Sequence, residues 1–194
     1  MRILEVLAEA TNIIAEGEVL QLMNCKNPDI DETAYLQVIR CKTAKLFEAA
    51  TRIGALLGGA DAQAQAAMAR YGAHLGTAFQ LIDDVLDYSG DINETGKNIG
   101  DDLAEGKPTL PLIYALKHGD PSQQSAIRRA IKNGGRDELE TVITAVQVTG
   151  ALIYARAQAH RETEAASAAI WHLDDSVYRD ALLQLCGFAI ERHF

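Results

Sequence analysis

The sequence predicts an all-α fold, and three observations predict it. Apolar residues recur at helical spacing, as in Leu75, Phe79, Ile82 and Leu86, separated by 4, 3 and 4 positions. No stretch shows a convincing period-two alternation of apolar and polar residues, the mark of a half-buried strand. The interruptions between apolar stretches carry helix stop and start chemistry. A chain of 194 residues with 48% hydrophobic and 23% charged content is long enough for one core and ordinary for a soluble globular protein.

The first helix is expected from about Leu4 to Met23, ended by the turn chemistry of Asn24-Cys25-Lys26-Asn27-Pro28. Asp31 is placed to cap a second, which runs to about Leu57 and stops at Gly58-Gly59. Asp61 opens a third, which carries the apolar stripe from Leu75 to Leu86. After Tyr88 comes a stretch punctuated by Gly90, Gly96, Gly100 and Gly106, too long for a simple connector. A short helix from Thr109 to Lys117 follows, kinked or entered at Pro111. Asp120-Pro121 reads as an N-cap with proline at the first helical position, starting a helix that ends near Asn133-Gly134-Gly135. Helices from Asp137 to about Val148, Ala151 to His172 and Ser176 to Arg192 complete the order. The many alanines suit helices that approach closely.

Charge and composition exclude several functions. A net charge of −9 argues against nucleic acid, whose binding is driven by basic patches on phosphate. Cys25, Cys41 and Cys186 are odd in number and lack Cys-x-x-Cys spacing, so neither a disulfide framework nor a zinc site is expected. No apolar run approaches the roughly 18 residues of a membrane span, and no signal peptide is visible, so a cytoplasmic protein is expected. No His-Glu-x-x-His is present, and Trp171 and Tyr178 read as packing anchors.

The segment FQLIDDVLDYSGDINETGKNIGDDLAEGKPTLP, Phe79 to Pro111, carries most of the functional signal. Asp83 and Asp87 are i and i+4 on a helix, and Asp84 and Asp87 are i and i+3, so all three can lean toward one stripe. Carboxylate oxygens suit Mg²⁺, which binds through one or two carboxylates together with waters and substrate phosphates. Lys97 and Lys107 return in the glycine-punctuated stretch as compact cations that bind phosphate as point charges. The plain alternative is a solvated acidic face, since like charges at helical spacing cost only about 0.2–0.5 kcal/mol per pair. Asp101-Asp102 reads first as capping or turn chemistry and second as an orienter of the loop lysines or an extension of the metal shell.

The run FQLIDDVLDY followed by GKNIGDDLAEGKPTLP resembles the second aspartate-rich region of the trans-type polyprenyl diphosphate synthases. Lys42-Thr43 within RCKTAKLFEAA resembles that family's Lys-Thr pair, and Gly17-Glu18-x-x-Gln21 resembles the form of its long-chain members, where shorter-chain members often read Gly-Gln-x-x-Asp. The likeness extends over essentially the whole chain. It implies the family's helical bundle, a homodimer, and Mg²⁺-dependent condensation of isopentenyl diphosphate onto an allylic prenyl diphosphate, giving a long-chain, octaprenyl-like product. By the same resemblance, Asp83, Asp84 and Asp87 are the metal residues. Lys42, Lys97 and Lys107 contact diphosphate, and Thr43 and Gln80 lie near the forming cation.

The chain also departs from that pattern. The family's first aspartate-rich motif and its Gly-Lys-x-x-Arg-Pro type segment are absent, and Met1-Arg2-Ile3-Leu4 reads like the middle of a helix without an N-cap. Residues 1–194 are therefore expected to be the C-terminal part of a single all-helical synthase domain whose first helices are missing, inactive by itself. Two other classes stay open. One is a non-catalytic subunit of a heteromeric prenyl synthase; the other is a terpene cyclase-like enzyme that ionises a prenyl diphosphate without condensation.

Overall fold

The computed structural model describes residues 2–89 and 99–192. Among them every regular element is helical: α1 Arg2–Asn24, α2 Glu32–Ile39, a π-turn Arg40–Ala44, α3 Lys45–Leu57 and α4 Ala62–Ser89, followed by α5 Asp101–Ala104 and α6 Leu110–His118. The order continues with α7 Pro121–Asn133, a 3₁₀ turn Arg136–Glu138, α8 Leu139–Val148, α9 Ala151–Ile170 and α10 Val177–Glu191.

The helix starts follow local chemistry. Asp31 accepts from the Ala34 N–H at 2.8 Å and Asp61 from the Ala64 N–H at 2.8 Å, each satisfying a donor that the helix itself leaves without a partner. Asp120 and Gln123 form a reciprocal capping box with Pro121 in the first turn of α7, which ends on the left-handed Gly134 at φ 68°. Ser176 accepts from the Arg179 N–H and starts α10. Pro111 lies in the first turn of α6, so it enters that helix and does not kink it. Two elements differ from the sequence reading. The second helix is interrupted by the π-turn, and a short helical turn, α5, stands where only loop was expected.

The described residues divide into two compact units, one of 2–19, 37–80 and 158–192, the other of 20–36, 81–89 and 99–157. In the first, Tyr71 and Leu75 of α4 pack on Ala166 and Ile170 of α9 and on Cys186 and Ala189 of α10, with Phe47 and Met68 beside them. A second cluster joins Val6 and Ala10 of α1 to Ala49 of α3. In the other unit, Tyr88, Leu103, Leu112, Ile127, Ile131, Val142 and Val146 form one core.

On α4 the innermost positions are Ala78, Leu81, Ile82 and Val85, all at most 1% exposed, whereas Leu86 is half-buried. The stripe read from the sequence is therefore rotated by about one residue. The three cysteines are free; Cys186 is buried and the other two are half-buried. Trp171 and Tyr178, expected as packing anchors, are 69% and 81% exposed. Trp171 follows the last residue of α9, where the helix no longer aims it at a neighbour, and Arg179 lies over its ring instead.

Candidate functional site

The three aspartates of α4 are not equivalent. Asp83 and Asp87 are half-buried, while Asp84 is 3% exposed. Successive helix residues are 100° apart, so with Val85 and Leu81 in the core, Asp84 turns toward it and Asp83 away. The buried carboxylate of Asp84 accepts from the hydroxyl of Tyr35, on α2, at 2.7 Å. Burial, then the Asp84 charge, pushes the Tyr35 phenol well above its ordinary range, so Tyr35 stays a donor.

Residues 100–102 lie against Asp87. The Gly100 N–H donates to the Asp87 carbonyl at 2.9 Å, and the Asp102 N–H reaches the Asp87 carboxylate at 3.3 Å. Gly100 takes φ 83° to begin α5, a conformation costly for a residue with a Cβ. The Asp87 carboxyl is pushed up to about 7, first by burial and then by the Asp102 charge beside it, with the N–H groups of residues 101 and 102 acting the other way. Lys107 lies against Asp102 at 2.9 Å and Glu105 at 2.8 Å. Burial pulls its ammonium down, but these two partners outweigh burial and the net shift is upward. Asp102 thus orients the loop lysine, as well as crowding Asp87. Lys97, with Gly90 and Gly96, lies outside the described residues.

The Lys-Thr pair belongs to the π-turn. A π-turn widens the helix by one residue and is found frequently at functional sites; here it carries Arg40, Cys41, Lys42, Thr43 and Ala44. Two glycines let neighbouring backbones close on it. A Cβ on Gly17 of α1 would lie 2.5 Å from the Lys42 nitrogen, and one on Gly76 of α4 would lie 2.6 Å from Ala44 Cα. The Thr43 hydroxyl donates to the Gln80 amide oxygen at 2.9 Å. Lys42 pairs with Glu18 at 3.4 Å.

Around this pair, Phe47 and Phe79 meet with ring centroids 5.4 Å apart, and the Arg192 guanidinium stacks on Phe79 at 3.8 Å while donating to the Phe79 carbonyl. On the far side Glu162 of α9 takes His74 of α4 at 2.5 Å and Arg40 at 3.3 Å. Sequence reasoning named Lys42, Thr43 and Gln80 but not Tyr35, Glu162 or Arg192. Each of these acts on a residue far away in the chain, and no local spacing announces such a contact.

The arrangement offers hard oxygen donors on α4 with an adjacent ammonium, and separately an ammonium with a hydroxyl-amide pair. Such groups bind phosphate oxygens and divalent cations. Among the described residues no group of three or more His, Cys, Asp or Glu is gathered around one point. None of the described helices is long and apolar enough to cross a membrane.

Residues 1–148 match the family model described as polyprenyl synthetase. The chain is 50% identical over 193 residues to the octaprenyl diphosphate synthase of Escherichia coli (strain K12), a match that covers 99% of this chain and 60% of that protein. Its fold resembles the crystal structure of a polyprenyl synthase from Caulobacter crescentus CB15 complexed with calcium and isoprenyl diphosphate, at TM-score 0.95 and 39% identity over 100% of this chain and 60% of that one. It likewise resembles a decaprenyl diphosphate synthase from Rhodobacter capsulatus, at TM-score 0.91 and 41% identity, with coverage of 100% and 60%. The chain thus spans about three-fifths of the length of these relatives.

Proposed function

Because the chain belongs to the polyprenyl synthetase family, we propose that it is the C-terminal part of a long-chain, octaprenyl-like diphosphate synthase. Its reaction is condensation of isopentenyl diphosphate with an allylic prenyl diphosphate. The observation that carries this reading is the half-buried Asp83 and Asp87 face of α4, with Asp102 and Lys107 folded back beside it.

The donor set fits Mg²⁺. Asp83 and Asp87 are hard oxygen donors one turn apart, and a divalent cation would offset the burial and the Asp102 charge that together push the Asp87 carboxyl up to about 7. When bound, the metal supplies positive charge to the diphosphate oxygens as a Lewis acid. Asp83 and Asp87 are assigned as its protein ligands, and Asp84, held by Tyr35, contributes through water. The Caulobacter polyprenyl synthase, crystallised with calcium and isoprenyl diphosphate, supports a divalent-cation site in this family.

Lys42, Lys97 and Lys107 are assigned to the diphosphate. Their positive charges stabilise the leaving group as the allylic C–O bond breaks and the electron pair passes to the diphosphate oxygen. Thr43 and Gln80 are assigned to the cation left behind, where neutral oxygen dipoles stabilise positive charge without capturing it. The Thr43 to Gln80 hydrogen bond fixes both oxygens in place. The isopentenyl double bond then attacks the allylic carbon, a proton is lost, and the chain is longer by one isoprene unit.

A cytoplasmic homodimer completes the proposal. Exposed Leu4, Leu22 and Met23 on α1 support an association surface there.

Calorimetric titration of farnesyl diphosphate into residues 1–194 with and without Mg²⁺ tests the reading. Binding is expected only with Mg²⁺ and is expected to weaken at least about tenfold in Asp83→Ala, the loss of a charge-assisted contact. Binding indifferent to both Mg²⁺ and Asp83 would leave α4 with a merely solvated acidic face.

A further inference from the structure

Lys42 is paired with a carboxylate of α1. Glu18 Oε1 lies 3.4 Å from Lys42 Nζ, with the Glu18 side chain 49% and that of Lys42 30% exposed. An exposed pair formed by two long side chains ordinarily has little consequence, because both must be ordered to meet. Here the neighbouring backbone removes part of that cost. Gly17 has no Cβ, so α1 closes directly on the backbone of Cys41 and Lys42, where a Cβ would stand 2.5 to 2.9 Å from their atoms. Glu18, the next residue of α1, is thereby set beside the lysine by main-chain packing.

We propose that Glu18 is the resting counter-ion of Lys42, a carboxylate that stands in for the diphosphate and must be displaced by it, so that position 18 sets diphosphate affinity. The proposal rests on the assignment of Lys42 to the diphosphate. A diphosphate carries more negative charge than a carboxylate and wins the lysine when it arrives, and Glu18 regains it when pyrophosphate leaves. Glu18 thus weakens binding of substrate and product alike. A neutral glutamine, the residue that shorter-chain members often have here, would not compete in this way.

The test is titration of inorganic pyrophosphate, in excess Mg²⁺, into the 194-residue chain and into Glu18→Gln, Glu18→Ala, Lys42→Ala and the Glu18→Gln/Lys42→Ala double variant. Glu18→Gln and Glu18→Ala are expected to tighten binding by about two- to fivefold, the scale of one exposed ion pair, and less so at high salt. Lys42→Ala is expected to weaken binding, and the gain from Glu18→Gln is expected to vanish in the double variant.

A merely structural Glu18 would weaken binding or leave it unchanged when replaced, and either result overturns the proposal. A gain that persists without Lys42 does so too. If Lys42→Ala weakens binding while both Glu18 variants are inert, the counter-ion role alone fails. If Lys42→Ala has no effect, the assignment of Lys42 to diphosphate fails with it, and absence of binding in all five proteins overturns both. Far-ultraviolet circular dichroism confirms that each variant is folded.

Discussion

Tyr35 donates its hydroxyl to the buried carboxylate of Asp84 at 2.7 Å, across 49 positions of sequence. The bond ties α2 to α4 beside the acidic face, and both residues are at most 5% exposed. Tyr35→Phe keeps the ring and removes the donor. A hydrogen bond to a charged group contributes about 1.5–3 kcal/mol, so Tyr35→Phe is expected to destabilise the chain by that amount in urea denaturation. In an Asp84→Asn background the loss is expected to shrink, and a full, undiminished loss there would show that the two side chains act independently.

Glycines on α1 and α3 are expected to respond with opposite signs. A Cβ on Gly17 meets the backbone of Lys42 at 2.5 Å, which cannot yield as a side-chain tip can, so Gly17→Ala is expected to destabilise by about 1–3 kcal/mol. Gly54, inside α3, has nothing within 4 Å of a built Cβ. Gly54→Ala is therefore expected to stabilise by about 0.5–1 kcal/mol through helix propensity alone. Thermal midpoints of the two variants read both signs at once, and a stabilised Gly17→Ala would contradict the close approach of α1 to the π-turn.

The helix plan was legible because its signals are local. Asp31, Asp61, Asp120 and Ser176 cap the helices that follow them, and Gly134 closes one, all within three or four residues of the groups they satisfy. The π-turn was not legible. It depends on Gly17 and Gly76 letting two other helices close on Arg40–Ala44, a tertiary cause with no spacing of its own. In the acidic motif, the residue types and their order could be read. That Asp84 turns inward to Tyr35 could not, because the spacing of Asp83, Asp84 and Asp87 permits a shared stripe and only the burial of Leu81 and Val85 sets the rotation.

Glu162 is expected to make stability depend on acidity. Burial acts to raise its carboxyl, but the hydrogen bond and charge of His74, with Arg40 beyond, outweigh burial and hold it below the ordinary 4.5. A carboxyl lowered in the folded state binds its proton more readily when unfolded. Its stabilisation is therefore complete above pH 4.5 and is lost as pH falls from there through the lowered folded value. Glu162→Gln is expected to flatten that part of the acid limb in denaturation curves taken at successive pH values. An acid limb unchanged by the substitution would place the responsible carboxylate elsewhere.

Residues 1–194 alone are expected not to elongate a prenyl chain. The sequence holds one aspartate-rich helix motif, on α4, and the chain covers about three-fifths of the relatives that it resembles. Condensation needs two substrates held in one geometry, and groups that act as a unit lose nearly all rate when part of the set is removed. Binding is more tolerant, because each diphosphate contact adds affinity even where the reacting carbons are not aligned. The chain is thus expected to bind farnesyl diphosphate with Mg²⁺ and yet give no longer product when isopentenyl diphosphate is supplied. Radiolabelled isopentenyl diphosphate followed by chromatography of the extracted lipids reads the second half of that statement directly. Robust chain growth would show that residues 1–194 already suffice for catalysis, and the division between binding and turnover would fall.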